Sequence, residues 1–173
     1  MERKVVSKEE WLEARRELLA KEKELTRLRD EVAAQRRQLP FVRLDKEYRF
    51  DGPSGTESLS ELFAGKSQLL VYHFMFDPSW DDGCKSCSFW ADNYQGIAPH
   101  LRARDVTMVT ISRAPLEKLE AFKKRMGWGF KWVSSHGSDF NYDFQASFTK
   151  EAMQAGRVHY NFQETKFPVA EAH

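Results

Sequence analysis

The chain is 173 residues long, 41% hydrophobic and 31% charged, with a formal net charge of +1. That length suits one domain with an appended segment, and the near balance of interleaved charges removes any electrostatic case for nucleic acid. No stretch is apolar enough to cross a membrane, Met1-Glu2-Arg3-Lys4-Val5-Val6 lacks the apolar region of a secretory signal, and two cysteines do not make a secreted disulfide scaffold, so the cytoplasm is the expected compartment.

Ser7-Lys8-Glu9-Glu10 has the form of a capping box, which predicts a helix starting there and running to about Leu39, where Pro40 stops it. Trp11, Leu18, Leu25, Val32 and Leu39 recur every seven residues, with Leu12, Leu19, Leu28 and Ala33 beside them, on an otherwise charged rod. Such a stripe packs on its own domain or meets a partner helix, most simply its symmetry mate.

From Phe41 to Phe50 apolar and polar residues alternate around Asp45-Lys46, which predicts a short hairpin. Asp51 to Gly55 reads as a loop and Ser58 to Phe63 as one or two helical turns. Leu69 to Phe76 is a nearly unbroken apolar run of the kind found in a strand buried on both faces.

Directly after that run comes Asp77-Pro78-Ser79-Trp80-Asp81-Asp82-Gly83-Cys84-Lys85-Ser86-Cys87, which holds both cysteines. Cys87, Trp90, Ala91, Tyr94, Ile97, Ala98 and Leu101 then follow at three- and four-residue steps, predicting a helix that starts at the cysteines and bends or restarts near Gly96 and Pro99. The order strand, turn, Cys-x-x-Cys, helix is a redox arrangement in a cytosolic chain. A thiolate is the attacking species and the free N–H groups of a helix N-terminus stabilise it, so Cys84 is expected to be the more exposed, more acidic nucleophile and Cys87 the resolving thiol. Lys85 adds positive charge and Ser86 a donor, whereas Asp81 and Asp82 oppose thiolate formation. Trp80 precedes the turn and is the aromatic candidate for substrate contact; Trp90, on the apolar face, is expected in the core.

Two plainer readings compete. A Cys-x-x-Cys pair is also half of a zinc hook, but there is no second pair, and His73, His100, His136 and His159 stand singly. The cysteines could also be ordinary buried residues, against which their place on a turn after a strand argues.

Asp105 to Ser112 predicts a second buried strand, and Ser112-Arg113-Ala114-Pro115 opens a helix with Leu116, Leu119, Phe122 and Met126 facing inward and Gly127 capping it. Phe130 to Val133 reads as a third strand and Ser134 to Asn141 as a polar loop. Val158 to Phe162 alternates like a further strand, and the tail from Gln163 onward is expected to be loose.

The blocks Cys84 to Asp92, Ser112-Arg113-Ala114-Pro115, Arg125-Met126-Gly127-Trp128 and Ser134-Ser135 with Asp139 to Phe144 resemble an uncharacterised bacterial family of thioredoxin-like proteins, described as dithiol–disulfide isomerase-like. The wider architecture is similar to that of peroxiredoxins. A peroxiredoxin places threonine three residues before its reactive cysteine; here that position is Asp81, and Pro78 sits one residue too close. The resemblance also implies a closing C-terminal hairpin with a cis-proline beside the cysteines. The chain reaches His173 with neither Pro115 nor Pro168 in such a setting, so one edge of the Leu69–Phe76 strand is expected to be filled by Val158–Phe162 or by another copy.

Together these readings give an α/β, thioredoxin-like (peroxiredoxin-like) three-layer domain over residues 40–162, behind an amphipathic helix over 1–39 and before a tail over 163–173. The expected function is thiol–disulfide exchange by Cys84 and Cys87 on protein or small-molecule disulfides, with Trp80, Lys85 and Ser86 contacting substrate. Neither cofactor nor metal is expected. The partners are the thiol or disulfide substrate, a redox partner protein and further copies of the chain. The competing classes are a non-catalytic interaction protein on the same scaffold and a peroxidase of peroxiredoxin type.

Overall fold

In the computed structural model, which describes residues 4–166, Ser7 caps the first helix by accepting the N–H of Glu10 at 3.2 Å. The Glu10 carboxylate returns to the Ser7 N–H at 2.9 Å, completing the box. The helix, α1, runs over Lys8–Gln38, and Leu39 before Pro40 ends it in extended conformation. The chain divides into two compact units between Asp45 and Lys46, and α1 belongs to the first.

The second unit opens with a hairpin, β1 (Arg49–Gly52) against β2 (Gly55–Ser58). This corrects the expected hairpin over Phe41–Phe50, most of which is irregular. The turn that forms is Pro53-Ser54, because Gly55 adopts a φ of 116° that Asp45-Lys46 has no glycine to supply. A second capping box, Ser58 with Glu61, starts the single turn α2 (Leu59–Leu62).

There follow β3 (Gln68–His73), α3 (Lys85–Ala91), α4 (Tyr94–Ala103), β4 (Val106–Ser112), α5 (Leu116–Met126), β5 (Trp132–Ser134), α6 (Phe140–Asp143), α7 (Lys150–Gln154), β6 (Arg157–Tyr160) and β7 (Gln163–Lys166). The main sheet has the order β2-β1-β5-β4-β3. β3, β4 and β5 are parallel, with Val71 opposite Val109 and Ile111 opposite Val133, and β1 runs antiparallel to β5.

Alternation along these strands sends side chains to two separate cores. On one face Phe74, Phe76 and Trp132 pack with Cys87 and Ala91 of α3 and with Leu119 and Phe122 of α5. On the other, Phe50, Val109, Ile111 and Val133 pack with Leu62 of α2 and Phe140 of α6. Helices thus cover both faces of the sheet, giving three layers.

β4, with a neighbour on each side, buries Val109 through Ser112. Among the described residues β3 has only β4 beside it, and none of its own residues is fully buried. The expectation that Val158–Phe162 fills this edge is not met: β6 pairs with β7 in a separate two-stranded sheet. The expected loose tail is likewise corrected for Gln163–Lys166. Asn161 and Phe162, both at positive φ, form the two-residue turn that folds β7 back on β6. Pro168 and the rest of the expected tail lie outside the described residues; every described peptide bond is trans.

Candidate functional site

The turn from β3 to α3 is fixed before the cysteines are reached. Asp77 accepts from the N–H and hydroxyl of Ser79 at 3.0 and 2.7 Å and pairs with Arg113 at 3.2 Å. Lys118 of α5 donates to the carbonyls of Pro78 and Trp80, both at 2.9 Å, and Arg125 holds Asp82 at 2.7 Å. Gly83 is buried, and the Cys84 N–H donates to the Met75 carbonyl at 3.0 Å, so the turn closes back on the end of its own strand.

Cys84 is the N-cap of α3. Its sulfur accepts the N–H of Cys87 at 3.3 Å, and the Ser88 hydroxyl and N–H both donate to its carbonyl at 2.9 Å. Neither cysteine is in a disulfide; Cys84 is half-buried and Cys87 buried. Burial pushes the Cys87 thiol up from its ordinary pKa, with the neighbouring Cys84 acting in the same direction. The Tyr72 hydroxyl donates to the Cys87 carbonyl at 3.3 Å, and its ring meets Tyr94 edge-on at 4.9 Å. The two cysteines therefore share one helical turn, Cys87 buried in the core and Cys84 half-buried against it.

Lys85 and Ser86 are exposed between them and Trp80 is exposed before them, so the sequence-predicted site residues all belong to this turn and the start of α3. Trp90 is a correction: it is 59% exposed, in edge-on contact with the also exposed Phe89 at 5.9 Å. The helix also breaks earlier than expected, at Asp92-Asn93, where the Trp128 indole N–H donates to Asp92 at 2.8 Å and the Asn93 amide donates to the Phe89 carbonyl at 3.1 Å. Pro99 lies inside α4. Among the described residues, no group of three or more His, Cys, Asp or Glu side chains lies close enough to hold a metal ion.

Sequence reasoning passed over the polar support behind the site. Trp132 donates its indole N–H to the Ser112 hydroxyl at 3.0 Å, which donates to the Phe74 carbonyl at 2.6 Å. Ser134 donates to the Ala114 carbonyl at 2.7 Å and Ser135 to the Asn141 side-chain oxygen at 2.6 Å. Trp132, Ser112, Ser134, Ser135 and Asn141 are all buried. The only sequence signal was the density of serine next to the strand ends.

Three parallel strands joined through helices on one face, with a dithiol where the edge strand turns into its helix, define a thioredoxin-like α/β fold. The chain belongs to the family described as a bacterial protein of unknown function (DUF899), which it matches over residues 1–172. No curated protein matches it.

Solved structures that resemble it include a candidate protein disulfide isomerase from Bacteroides thetaiotaomicron, at 22% identity and a TM-score of 0.42 over 60% of this chain and 63% of that one. A variant of PrxQ from Xylella fastidiosa gives 16% and 0.42, over 57% of each chain. A yeast mitochondrial 1-Cys peroxiredoxin gives 15% and 0.43, over 61% of this chain and 51% of that one. The chain spans about three fifths of the length of the first two. No helix among the described residues is long and apolar enough to cross a membrane.

Proposed function

We propose that this chain is a thiol–disulfide oxidoreductase in which Cys84 attacks and Cys87 resolves. The observation that supports this most is the arrangement of the two sulfurs in one turn: Cys84 at the N-cap, half-buried, accepting the backbone N–H of a buried Cys87. The Cys84 thiolate attacks one sulfur of a substrate disulfide, forming a mixed disulfide and expelling the other substrate sulfur as a thiolate. Cys87 then gives up its proton and attacks the Cys84 sulfur. The Cys84–Cys87 disulfide forms, the second substrate sulfur leaves, and two electrons have passed to the substrate. A reduced dithiol protein, the redox partner, resets the pair by the same exchange.

The reaction needs no cofactor beyond this pair. Trp80, Lys85 and Ser86 form the exposed surround on which a protein or small-molecule disulfide would rest. Two free cysteines suit a reducing compartment, the cytoplasm. The apolar stripe of α1 supports a homo-oligomer.

Insulin-disulfide reduction with dithiothreitol as electron source tests the assignment. Cys84→Ser should abolish turnover, and Cys87→Ser should accumulate a mixed disulfide detectable by mass. Undiminished turnover in Cys84→Ser, or none in the parent, would leave the cysteines without this role and favour a non-catalytic interaction protein.

A further inference from the structure

The first unit contains the 31-residue helix α1, in which no residue is buried although it carries large apolar side chains at a fixed spacing. Trp11, Leu18 and Leu25 are 56%, 52% and 47% exposed, so the described residues of their own unit leave them uncovered. A helix holds such a stripe against water only when another surface takes it.

The charges beside the stripe say which surface. With Trp11, Leu18, Leu25 and Val32 at heptad position a, Ala14 and Leu28 fall at d together with Lys21 and Gln35. Position g is then Glu10, Glu17, Glu24 and Glu31, glutamate throughout, and position e is Arg15, Glu22, Arg29 and Arg36. In a parallel pair of helices a g residue faces the e residue five positions further on in its partner. That sets Glu10 against Arg15, Glu24 against Arg29 and Glu31 against Arg36, each twice by symmetry. The remaining pair, Glu17 with Glu22, is like-charged, and Glu22 is already bridged to Arg15 within its own helix at 2.9 Å. In an antiparallel pair the g rows face each other, and four glutamates would oppose four. The polar Lys21 and Gln35 add a cost, and a slip of one heptad sets Lys21 against Leu28 or Ala14 and Gln35 against Leu28, which favours the in-register pair over it.

We propose that α1 is the binding surface for a second copy of this chain, pairing with its twin as a parallel, in-register, two-stranded coiled coil. Four heptads span about 42 Å at 1.5 Å per residue, enough for a specific pair. The interface is isologous, each α1 using the same face, with the twofold axis along the coil.

The test uses the full chain carrying Cys84→Ser and Cys87→Ser, so that no native thiol cross-links. Sedimentation equilibrium should give a species of twice the 20.2 kDa chain mass. Glu24→Lys with Glu31→Lys in one variant, and Arg29→Glu with Arg36→Glu in another, should each weaken self-association about tenfold or more while keeping the helical circular dichroism. An equimolar mixture of the two should restore the dimer as a heterodimer. Trp11→Cys should cross-link to itself under mild oxidation, since only a parallel pair brings two copies of position 11 together. A monomer at all concentrations, a trimer, charge variants that associate as well as the parent, or a dimer in which Trp11→Cys fails to cross-link would each overturn the proposal.

Discussion

Gly83 leaves open the space that the Phe74 ring occupies: a Cβ there would lie 2.6 Å from Cε1 of Phe74 and 3.0 Å from its Cζ. The ring cannot give way, because Phe74 is itself buried, with Trp132 and Trp128 at centroid distances of 4.7 and 5.9 Å. Gly83→Ala should therefore push the residue before Cys84 outward and cost about 1–3 kcal/mol, the usual range for overpacking a filled site. Urea unfolding reads the cost, and the alkylation rate of Cys84 reads the displacement. Phe74→Leu in the same chain should restore part of the lost stability. An unchanged midpoint in Gly83→Ala would show that the contact does not set the turn.

The two thiols should differ in reactivity in a direction that burial sets. Cys87 has its thiol pushed up by desolvation, so it carries less thiolate at neutral pH and is also less accessible. Iodoacetamide at pH 7 should modify Cys84 first, with Cys87 catching up as pH rises. Peptide mapping by mass gives the order, and faster labelling of Cys87 would exchange the roles assigned to the pair.

What the sequence made legible was chiefly local. The capping box at Ser7, the strand before the cysteines and the turn after it depend on neighbours in the chain, and residue order encodes them directly. Trp90 shows the limit of periodicity. Its place on the apolar face assumed a helix continuous as far as Gly96, but the break comes at Asp92-Asn93 and is held by Trp128, distant in sequence. Ser134, Ser135 and Asn141 were read as a loop because polarity alone does not separate a solvated residue from one buried with its partner. Gly83 was invisible for a related reason: the ring it accommodates is nine residues away in the chain, and only the fold brings the two together.

Ser112 carries two buried hydrogen bonds, accepting from Trp132 and donating to the Phe74 carbonyl. Ser112→Ala leaves a buried indole N–H without that acceptor and should cost about 1–3 kcal/mol. Ser54→Ala, exposed in the turn between β1 and β2, serves as the control and should change stability by less than about 0.5 kcal/mol. Equal midpoints for the two variants would mean that the buried relay contributes nothing beyond a surface hydroxyl.

His73 should make stability fall with acid in a window distinct from that of the carboxylates. Its ring stacks on Phe140 at 5.3 Å, and Nδ1 is buried with no hydrogen-bond partner among the described residues. Burial lowers its pKa from the ordinary value, so the folded chain keeps it neutral where the unfolded chain protonates it. Above about pH 6.5 both states are neutral and the residue adds no pH dependence. Below that value the unfolded state binds the extra proton, and stability falls until the folded-state pKa is reached, by at most about 1.4 kcal/mol per pH unit. Asp77, Asp105 and Asp143 also lie below their ordinary values, but they titrate in the unfolded chain near pH 4, so their losses come in stronger acid. His73→Phe keeps a ring against Phe140 and removes the titration. Thermal unfolding of parent and variant between pH 7.5 and 5 should show the parent losing stability below about pH 6.5 while the variant stays nearly level. Parallel curves over that range would mean that His73 is protonated equally in both states and that its burial has no energetic consequence.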